Sequence, residues 1–226
     1  MNGGNESCIL LFVKYPNVGR VKIRLAEHVG QDVATDLYKS FVADILTTLH
    51  TLSVNFKIVF YPPDVENQFH QWLGEKYSYA PQIGRDLGQR MKNAFLQAFS
   101  DGFNSVVIIG SDSPDLPADF INRALSVLNT HDVVIGPSSD GGYYLIGFVR
   151  DAFLPEVFEE ISWGSDSVFE QTINILKQHK QKLYLLPQWY DVDTSEDLKS
   201  LLLRNKNTAF TKSATISHLR EKKSGA

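Results

Sequence analysis

The sequence predicts an α/β fold: a mixed, mostly parallel sheet flanked by helices, in a single domain. Two observations predict it. Short runs rich in β-branched and aromatic residues alternate along the chain with longer segments whose apolar residues recur every three or four positions. Such alternation indicates parallel strands, because each helix returns the chain to the edge where the next strand begins. A length of 226 residues suits one domain of this class.

The predicted strands are short runs of β-branched and aromatic residues bounded by turn residues. They occupy residues 8–14, 54–61, 105–110, 132–136, 143–149 and 182–186. Helical segments separate most of them, but only a turn containing GPSSDGG connects the fourth strand to the fifth. A connection that short joins antiparallel neighbours. We therefore expect one antiparallel excursion in an otherwise parallel sheet.

The predicted helices carry apolar residues on one face. The longest has them at every fourth position: Val33, Leu37, Phe41, Ile45 and Leu49. Shorter stripes of the same kind lie within residues 87–99, 120–128 and 168–176. Thr194 is followed three residues later by Asp197, and this capping-box pattern predicts where the last helix begins.

Composition argues against several classes of function. A net charge of −4 gives no general attraction to nucleic acid, and the apolar runs are too short to span a membrane. One cysteine cannot form a disulfide framework, and the six histidines lack zinc-ligand spacing. We expect a cytoplasmic protein with one domain over residues 1–207. Residues 208–226 form a basic tail, either solvated or, as the alternative, a binding arm.

Acidic residues follow two of the predicted strands. Asp112 and Asp115 follow the strand over 105–110, and Asp191 and Asp193 follow the last strand. Open α/β sheets bind ligands at the carboxyl ends of their strands, and clustered carboxylates are hard ligands that favour Mg²⁺ or Mn²⁺. One aspartate from each loop would suffice if substrate phosphates completed the coordination. The alternative is that Asp115 and Asp193 are helix caps or turn formers.

Basic residues follow the first predicted strand. Lys14, Lys22 and Arg24 lie in a segment broken by Pro16 and Gly19, so their charges converge at the same edge of the sheet. Arg and Lys both bind phosphate, Arg in a bidentate geometry. The segment lacks the Walker pattern of glycines and a Lys-Ser/Thr ending. It predicts a polyphosphate contact, with a solvated basic turn as the alternative.

Two glycine-containing segments are candidates for substrate contact. Gly84, Asp86, Gln89 and Arg90 lie at the start of a helix, where the backbone could approach a base or ribose closely; Asp86 as a plain helix N-cap is the alternative. Asp140 precedes two glycines and two tyrosines, a pattern typical of either a hairpin turn or an acceptor pocket. Asp140 is a candidate for orienting or deprotonating an acceptor hydroxyl.

Six motifs together resemble a known family. In chain order they are KYPNVGRVKIRLA, GRDLGQRM, IIGSDSPDLP, DVVIGPSSDGGYYLIGF, WGSDSV and WYDVDTSEDL. They resemble the arsenosugar-biosynthesis-type glycosyltransferases of the nucleotide-diphospho-sugar transferase superfamily, over roughly residues 8–203. They are more distantly similar to phospholactate guanylyltransferases and molybdenum-cofactor nucleotidyltransferases. The chain departs from the family pattern at Ile23, where threonine is usual, and at Gly164 and Ser165, where serine-threonine is usual.

The resemblance implies a single-domain, GT-A-like (Rossmann-like) sheet. It also implies that Asp112 and Asp193 hold the metal and that the Lys14–Arg24 loop contacts phosphates. The candidate catalytic residues are then Asp112, Asp140 and Lys22. The cofactor is Mg²⁺ or Mn²⁺, and the partners are a nucleotide-sugar or nucleoside triphosphate and a small-molecule acceptor.

Three functions are compatible with these residues. The leading expectation is a metal-dependent glycosyltransferase that uses a nucleotide-diphospho-sugar donor. The alternative is a guanylyl- or cytidylyltransferase-like nucleotidyltransferase that acts on a phosphorylated small molecule and releases pyrophosphate. A non-catalytic nucleotide sensor is the third, and the acids at both predicted metal positions argue against it. The identity of the base, the sugar, the acceptor and the oligomeric state stays open.

Overall fold

A computed structural model describes residues 7–224 of the chain. The strands are β1 Ser7–Lys14, β2 Asn55–Tyr61, β3 Tyr79–Pro81, β4 Ser105–Ile109, β5 Val133–Pro137, β6 Tyr143–Val149 and β7 Leu183–Leu185. The helices are α1 Ile23–Val29, α2 Gln31–His50, α3 Glu66–Leu73, α4 Leu87–Ser100, α5 Ala118–Val127, α6 Val168–Gln178, α7 Ser195–Arg204 and α8 Ala214–Ser224. Short 3₁₀ turns lie at Arg150–Ala152, Pro155–Phe158 and Ala209–Lys212.

The strands form one sheet in the order β3-β2-β1-β4-β6-β5-β7. Strand β6 is antiparallel to both of its neighbours, and the other paired strands are parallel. This arrangement confirms the predicted α/β class and the single antiparallel excursion. It also brings the carboxyl ends of the six remaining strands, including β1, β4, β5 and β7, to one edge, where the predicted site residues lie.

Alternation along the strands sends side chains into two cores, one on each face of the sheet. In β1, Ile9, Leu11 and Val13 pack with the apolar faces of α2, α3 and α5. The residues between them, Cys8 and Leu10 among them, pack with α4 and α6. A third cluster joins α1 and α2 to α7 through Leu25, Phe41 and Leu201. Both faces of the sheet are thus covered, and the carboxyl edge stays accessible.

Three short elements lack a sequence signal strong enough to predict them. Strand β3 has three residues and pairs only with β2, at the edge of the sheet. Helices α1 and α3 have seven and eight residues, about two turns each. Two turns show too few repeats for a helical period to stand out. The positions of these elements depend on packing against the sheet and α2.

The C-terminal segment differs from the predicted solvated tail. Helix α8 packs against α2, and its first turn is held by the Asp44 carboxylate, which accepts hydrogen bonds from the backbone N–H groups of Ala214 at 2.7 Å and Thr215 at 3.0 Å. The cause is a buried acid on α2 that needs donors and a helix start that supplies them. Residues 1–6 of the predicted domain and residues 225–226 of the predicted tail lie outside the described residues.

A membrane-spanning helix would need both greater length and stronger apolar character than any of the helices within residues 7–224 possesses.

Candidate active site

The centre of the site is the ammonium group of Lys22, which lies between two carboxylates. Lys22 Nζ is 2.8 Å from Asp193 Oδ1 and forms an ion pair with Asp112 Oδ1. The lysine side chain is only 2% exposed, whereas the Asp112 and Asp193 side chains are 48% and 37% exposed. The two acids expected to face one another therefore do so, across a covered lysine and with their own outer sides open to solvent.

Mutual charge stabilises this cluster in its ionised form. Burial by itself lowers the pKa of Lys22, but the charges of Asp112 and Asp193 outweigh burial and raise that pKa above its ordinary value. Burial likewise tends to raise the pKa of Asp193, yet Lys22, followed by Arg24 and Lys14, lowers it. All three basic residues predicted to converge therefore act on one carboxylate, although the Lys14 and Arg24 side chains are themselves exposed.

Local structure directs Lys22 inward. It is the residue that precedes α1, and its backbone is left-handed, with φ 48° and ψ 46°. A non-glycine residue seldom adopts this conformation, so packing around the side chain must maintain it. Lys22 Nζ also lies 5.6 Å from the centre of the Phe41 ring on α2. The sequence signalled the charge of Lys22 but not its burial.

Hydrogen bonds through the Tyr38 hydroxyl connect the end of β1 to the loop after β4. The backbone N–H of Lys14 donates to the Tyr38 hydroxyl at 2.9 Å, and that hydroxyl lies 2.9 Å from Ser111 Oγ. On the other side, the Val192 N–H donates to the Asp112 carbonyl at 2.9 Å. Three loops that are distant in sequence are thus connected, which accounts for the proximity of Asp112 and Asp193.

Asp191 is a polar residue of the site whose role the sequence did not reveal. Its two carboxylate oxygens accept hydrogen bonds from Ser113 Oγ at 2.5 Å and Ser138 Oγ at 2.6 Å. Burial, and then the nearby charge of Asp112, raises the pKa of Asp191 to about 6. The sequence placed Asp191 among the candidate metal ligands after the last strand but gave no sign that two serines occupy its oxygens. Through these two hydrogen bonds Asp191 links the loops after β4 and β5, and both of its oxygens already have a partner.

Asp115 lies in a turn, as the alternative interpretation predicted: the Leu116 N–H donates to the Ser113 carbonyl at 3.1 Å. Its carboxylate is also engaged. Arg204 donates to both of its carboxylate oxygens and Asn205 Nδ2 donates to one at 2.6 Å. Trp189 Nε1 lies 3.3 Å from the carboxylate, and the Asp115 side chain is only 3% exposed. A carboxylate so fully occupied connects the β4 loop to the end of α7.

The segment at the start of α4 supports its own helix. Asp86 is the N-cap, and its Oδ1 accepts a hydrogen bond from the Gln89 N–H at 2.8 Å. This confirms the capping alternative. Gln89 Oε1 accepts from the Arg85 N–H at 3.2 Å, and the Arg90 guanidinium lies 4.3 Å from the centre of the Tyr61 ring. Gly84 has a φ of 147°, so the turn uses the freedom of glycine.

Asp140 lies in a turn, as one of its two interpretations predicted. Its Oδ1 accepts a hydrogen bond from the Gly142 N–H at 3.0 Å, and its side chain is exposed. Gly141, between them, has a φ of 89°, and a Cβ at this position would lie 2.0 Å from the Asp166 carbonyl oxygen. The turn therefore packs closely under the segment that leads into α6.

That segment, residues 158–167, crosses between the two glycine-containing motifs. A Cβ at Gly88 would lie 2.3 Å from the Phe158 carbonyl oxygen and 2.6 Å from Trp163 Nε1. A cavity of about 610 Å³ separates the segment from the start of α4, and Asp86, Gln89 and Trp163 contribute to its walls. Both glycines are needed because the backbone passes directly over them.

The two partly exposed carboxylates of the site are ligands of the kind that the expected metal binds. Mg²⁺ and Mn²⁺ accept one or two protein carboxylates and complete their coordination with water and phosphate oxygens. Asp112 and Asp193 fit that requirement. Within residues 7–224, no group of three or more His, Cys, Asp or Glu side chains is arranged as a metal site. The residues fit an open site that substrate oxygens complete, rather than a site made of protein ligands alone.

Comparison with known proteins gives a family and a fold. Residues 45–165 match the family model DUF2064, described as "Uncharacterized protein conserved in bacteria". A protein of Desulfovibrio desulfuricans G20, provisionally named a nucleotide-diphospho-sugar transferase, is 46% identical to this chain in sequence, and its crystal structure is known. The match covers 98% of this chain and 96% of that one, with a TM-score of 0.94.

One more distant relative and one structural neighbour carry nucleotidyltransferase names. The 2-phospho-L-lactate guanylyltransferase of Methanocaldococcus infernus is 23% identical over 198 residues, which are 86% of this chain and 84% of the relative. A cytidylyltransferase of Leptospira borgpetersenii shares the fold, with a TM-score of 0.56, 14% identity and coverage of 98% and 95%. These matches support the predicted superfamily. None of these three proteins has an arsenosugar-biosynthesis name, so that finer assignment stays a prediction.

Proposed function

This chain belongs to the DUF2064 family, and we propose that it is a metal-dependent nucleotidyltransferase that acts on a phosphorylated small molecule. In the proposed reaction, a phosphate oxygen of the acceptor attacks the α-phosphorus of a nucleoside triphosphate. The bond from the α-phosphorus to the bridging oxygen breaks, and pyrophosphate leaves. The observation that carries the proposal is the convergence of Asp112, Asp193 and Lys22 beside the basic loop.

Charge at the carboxyl edge suits a triphosphate and its metal. Lys14, Lys22 and Arg24 supply cations on one side, and Asp112 and Asp193 supply the acids that would hold Mg²⁺ or Mn²⁺. When bound, the metal would neutralise negative charge on the phosphates and on the departing pyrophosphate. The cationic side chains would bind the same oxygens and orient the α-phosphorus toward the acceptor.

The neighbouring segments would bind the rest of the substrates. Gly84, Asp86, Gln89 and Arg90 follow β3 at the same edge, where a base or ribose could rest against the turn. Asp140 lies in an exposed turn after β5. Its second carboxylate oxygen would orient an acceptor. A phosphorylated acceptor is already ionised at neutral pH, so its attack needs orientation more than deprotonation.

Nucleotidyl transfer is preferred to glycosyl transfer because of the named relatives. The curated relative described above is a guanylyltransferase, and a structural neighbour is a cytidylyltransferase. One observation keeps glycosyl transfer as the second candidate: the relative that is 46% identical has the provisional name of a nucleotide-diphospho-sugar transferase. The same acids and cations would then act on a leaving nucleoside diphosphate. A cytoplasmic location and a small-molecule acceptor are part of either proposal.

A substrate panel separates these two reactions. The purified protein is incubated with Mg²⁺, each of GTP, CTP, ATP and UTP, and a set of phosphorylated acceptors that includes phospholactate, and pyrophosphate is measured. A parallel panel of nucleotide-sugars is followed by release of nucleoside diphosphate. Pyrophosphate formed only when an acceptor is present, and lost in Asp112→Asn, supports nucleotidyl transfer.

Two results would count against the proposal. Turnover of nucleotide-sugars without any pyrophosphate from triphosphates would replace it with glycosyl transfer. Binding of nucleotides without turnover in either panel would favour the sensor alternative, in which the acids serve only affinity.

A further inference from the structure

The position between Asp112 and Asp193 is filled by a cation that belongs to the chain itself. Lys22 Nζ contacts Oδ1 of both carboxylates, and its side chain is almost wholly covered. Like charges repel strongly at contact distance in a partly buried site. A divalent cation that bridges the same two oxygens therefore cannot coexist with the ammonium group in this position.

The arrangement around Lys22 permits an exchange of cations. The carboxylates keep their outer sides open to solvent, so an ion could approach without rearrangement of the sheet. Lys22 lies at the junction of the Asn17–Arg20 turn and α1 and has a strained left-handed backbone. Its ammonium group pairs with the two acids and lies 5.6 Å from the centre of the Phe41 ring. Loss of these ion pairs would leave little to keep the ammonium inside.

We propose that Lys22 is a tethered cation that excludes a divalent metal ion until a nucleotide arrives. Resting on the proposed function, the exchange has two parts. Phosphate oxygens attract the ammonium away from Asp112 and Asp193, and the vacated oxygens bind the metal that accompanies the nucleotide. The metal therefore binds tightly only together with a polyphosphate.

The carboxylates of Asp112 and Asp193 have a cationic partner both before and after the exchange. Before binding, one ammonium offsets two carboxylates. Afterwards, the divalent ion offsets the carboxylates, and the ammonium offsets part of the negative charge of the nucleotide. No bond forms or breaks in the protein, so the device is an equilibrium between two occupants of one position.

Mn²⁺ binding in the absence of nucleotide tests the proposal without any enzymatic readout. Free Mn²⁺ is measured by electron paramagnetic resonance during titration of the wild type, Lys22→Met and Lys39→Met. Methionine keeps the apolar stem of Lys22 but removes its charge. Lys39 forms a surface pair with Asp36 and serves as the control. We expect Lys22→Met to bind Mn²⁺ at least about tenfold more tightly than the wild type, and Lys39→Met to match the wild type.

Two further variants identify the site and guard against misfolding. Asp193→Asn in the Lys22→Met background should return Mn²⁺ affinity to the wild-type level or below, because one ligand of the vacated position is gone. Lys22→Gln serves the same comparison if circular dichroism shows that Lys22→Met is unfolded. Unchanged or weaker Mn²⁺ binding in the folded neutral variant overturns the proposal.

The two proposals fail in different ways. Tighter Mn²⁺ binding in Lys22→Met, together with no pyrophosphate release by the wild type from any substrate, would refute nucleotidyl transfer and leave the competition intact. Pyrophosphate release by the wild type, with no gain of Mn²⁺ affinity in the variant, would support nucleotidyl transfer and refute the competition.

Discussion

Arg204 grips both carboxylate oxygens of Asp115, with Nε 2.7 Å from Oδ2 and Nη2 2.8 Å from Oδ1. This bidentate pair joins the end of α7 to the loop after β4, which also carries Asp112. Helix α7 begins next to Asp193, so this pair helps to hold Asp193 close to Asp112. The pair is nearly buried on the acidic side, since the Asp115 side chain is 3% exposed.

Removal of the arginine should destabilise the fold. Arg204→Met leaves the buried Asp115 carboxylate with neutral donors but no counter-charge, and we expect the free energy of unfolding to fall by about 3 kcal/mol. Urea denaturation followed by circular dichroism measures this change. Lys199→Met is the matched control on the same helix, because its pair with Glu196 is exposed and should contribute less than about 0.5 kcal/mol. Equal losses in the two variants would mean that the Asp115 pair is not structural.

Loss of charge at Asp112 should reduce catalysis without unfolding the protein. For Asp112→Asn we expect the rate of pyrophosphate release to fall by on the order of a hundredfold or more, since a preorganised charge at the phosphates is removed. The protein should stay folded because the Asp112 side chain is half exposed and Asp193 still pairs with the covered Lys22. Asp36→Asn removes an exposed surface carboxylate and should keep full activity. A rate within about twofold of the wild type would remove Asp112 from the proposed chemistry.

Asp191 should make stability depend on pH. Its pKa in the folded state, about 6, is higher than the ordinary 3.8, so the folded protein binds the proton more tightly than the unfolded chain. The stabilising contribution of this proton is therefore present below about pH 4 and is lost as pH rises toward 6. The loss is on the order of 3 kcal/mol.

The variant Asp191→Asn isolates that contribution. Asparagine is nearly isosteric and can still bond to Ser113 and Ser138, but it does not titrate. We expect the difference in unfolding free energy between Asp191→Asn and the wild type to rise in favour of the variant from pH 4 to pH 7. Denaturant titrations at several pH values measure the difference. A difference that is constant over this range would show that Asp191 titrates normally.

Substitution at Gly141 should displace the segment over the site. Gly141→Ala places a Cβ 2.0 Å from the Asp166 carbonyl oxygen, in addition to the strain of a φ of 89°. Gly164→Ala is the control, since its φ of 87° is nearly the same and no atom lies within 4 Å of the added Cβ. We expect Gly164→Ala to cost about 1 kcal/mol from backbone strain alone.

Gly141→Ala should cost at least about 1 kcal/mol more than this control, because overpacking against backbone forces a shift. Thermal unfolding compares the two variants, and hydrogen exchange reports whether amides near Trp163 lose protection. If both glycine variants melt at the same temperature, the close packing of residues 158–167 on the turn is not what requires glycine at position 141.

Much of the fold follows from the periodicity of the chain. The continuous apolar run Cys8–Val13 and the four-residue spacing from Val33 to Leu49 predicted β1 and α2, which are confirmed. Such patterns can be recognised in a sequence because burial requires apolar residues at regular positions along a long element. Strand β3 carries no such pattern, since three residues at a sheet edge bury little.

The sequence by itself determined which charged residues lie at the carboxyl edge of the sheet. Each of them follows a strand, and the alternation of strands and helices along the chain implies the direction of that strand. Lys14, Asp112 and Asp193 belong to this group. Only the tertiary structure decided how those charges are used. Asp115 and Asp112 are indistinguishable in sequence as loop acids, yet one is neutralised by an arginine on α7 and the other faces Lys22. The reason is that partners of a polar side chain are chosen by proximity across the whole fold, to which a local pattern makes no reference.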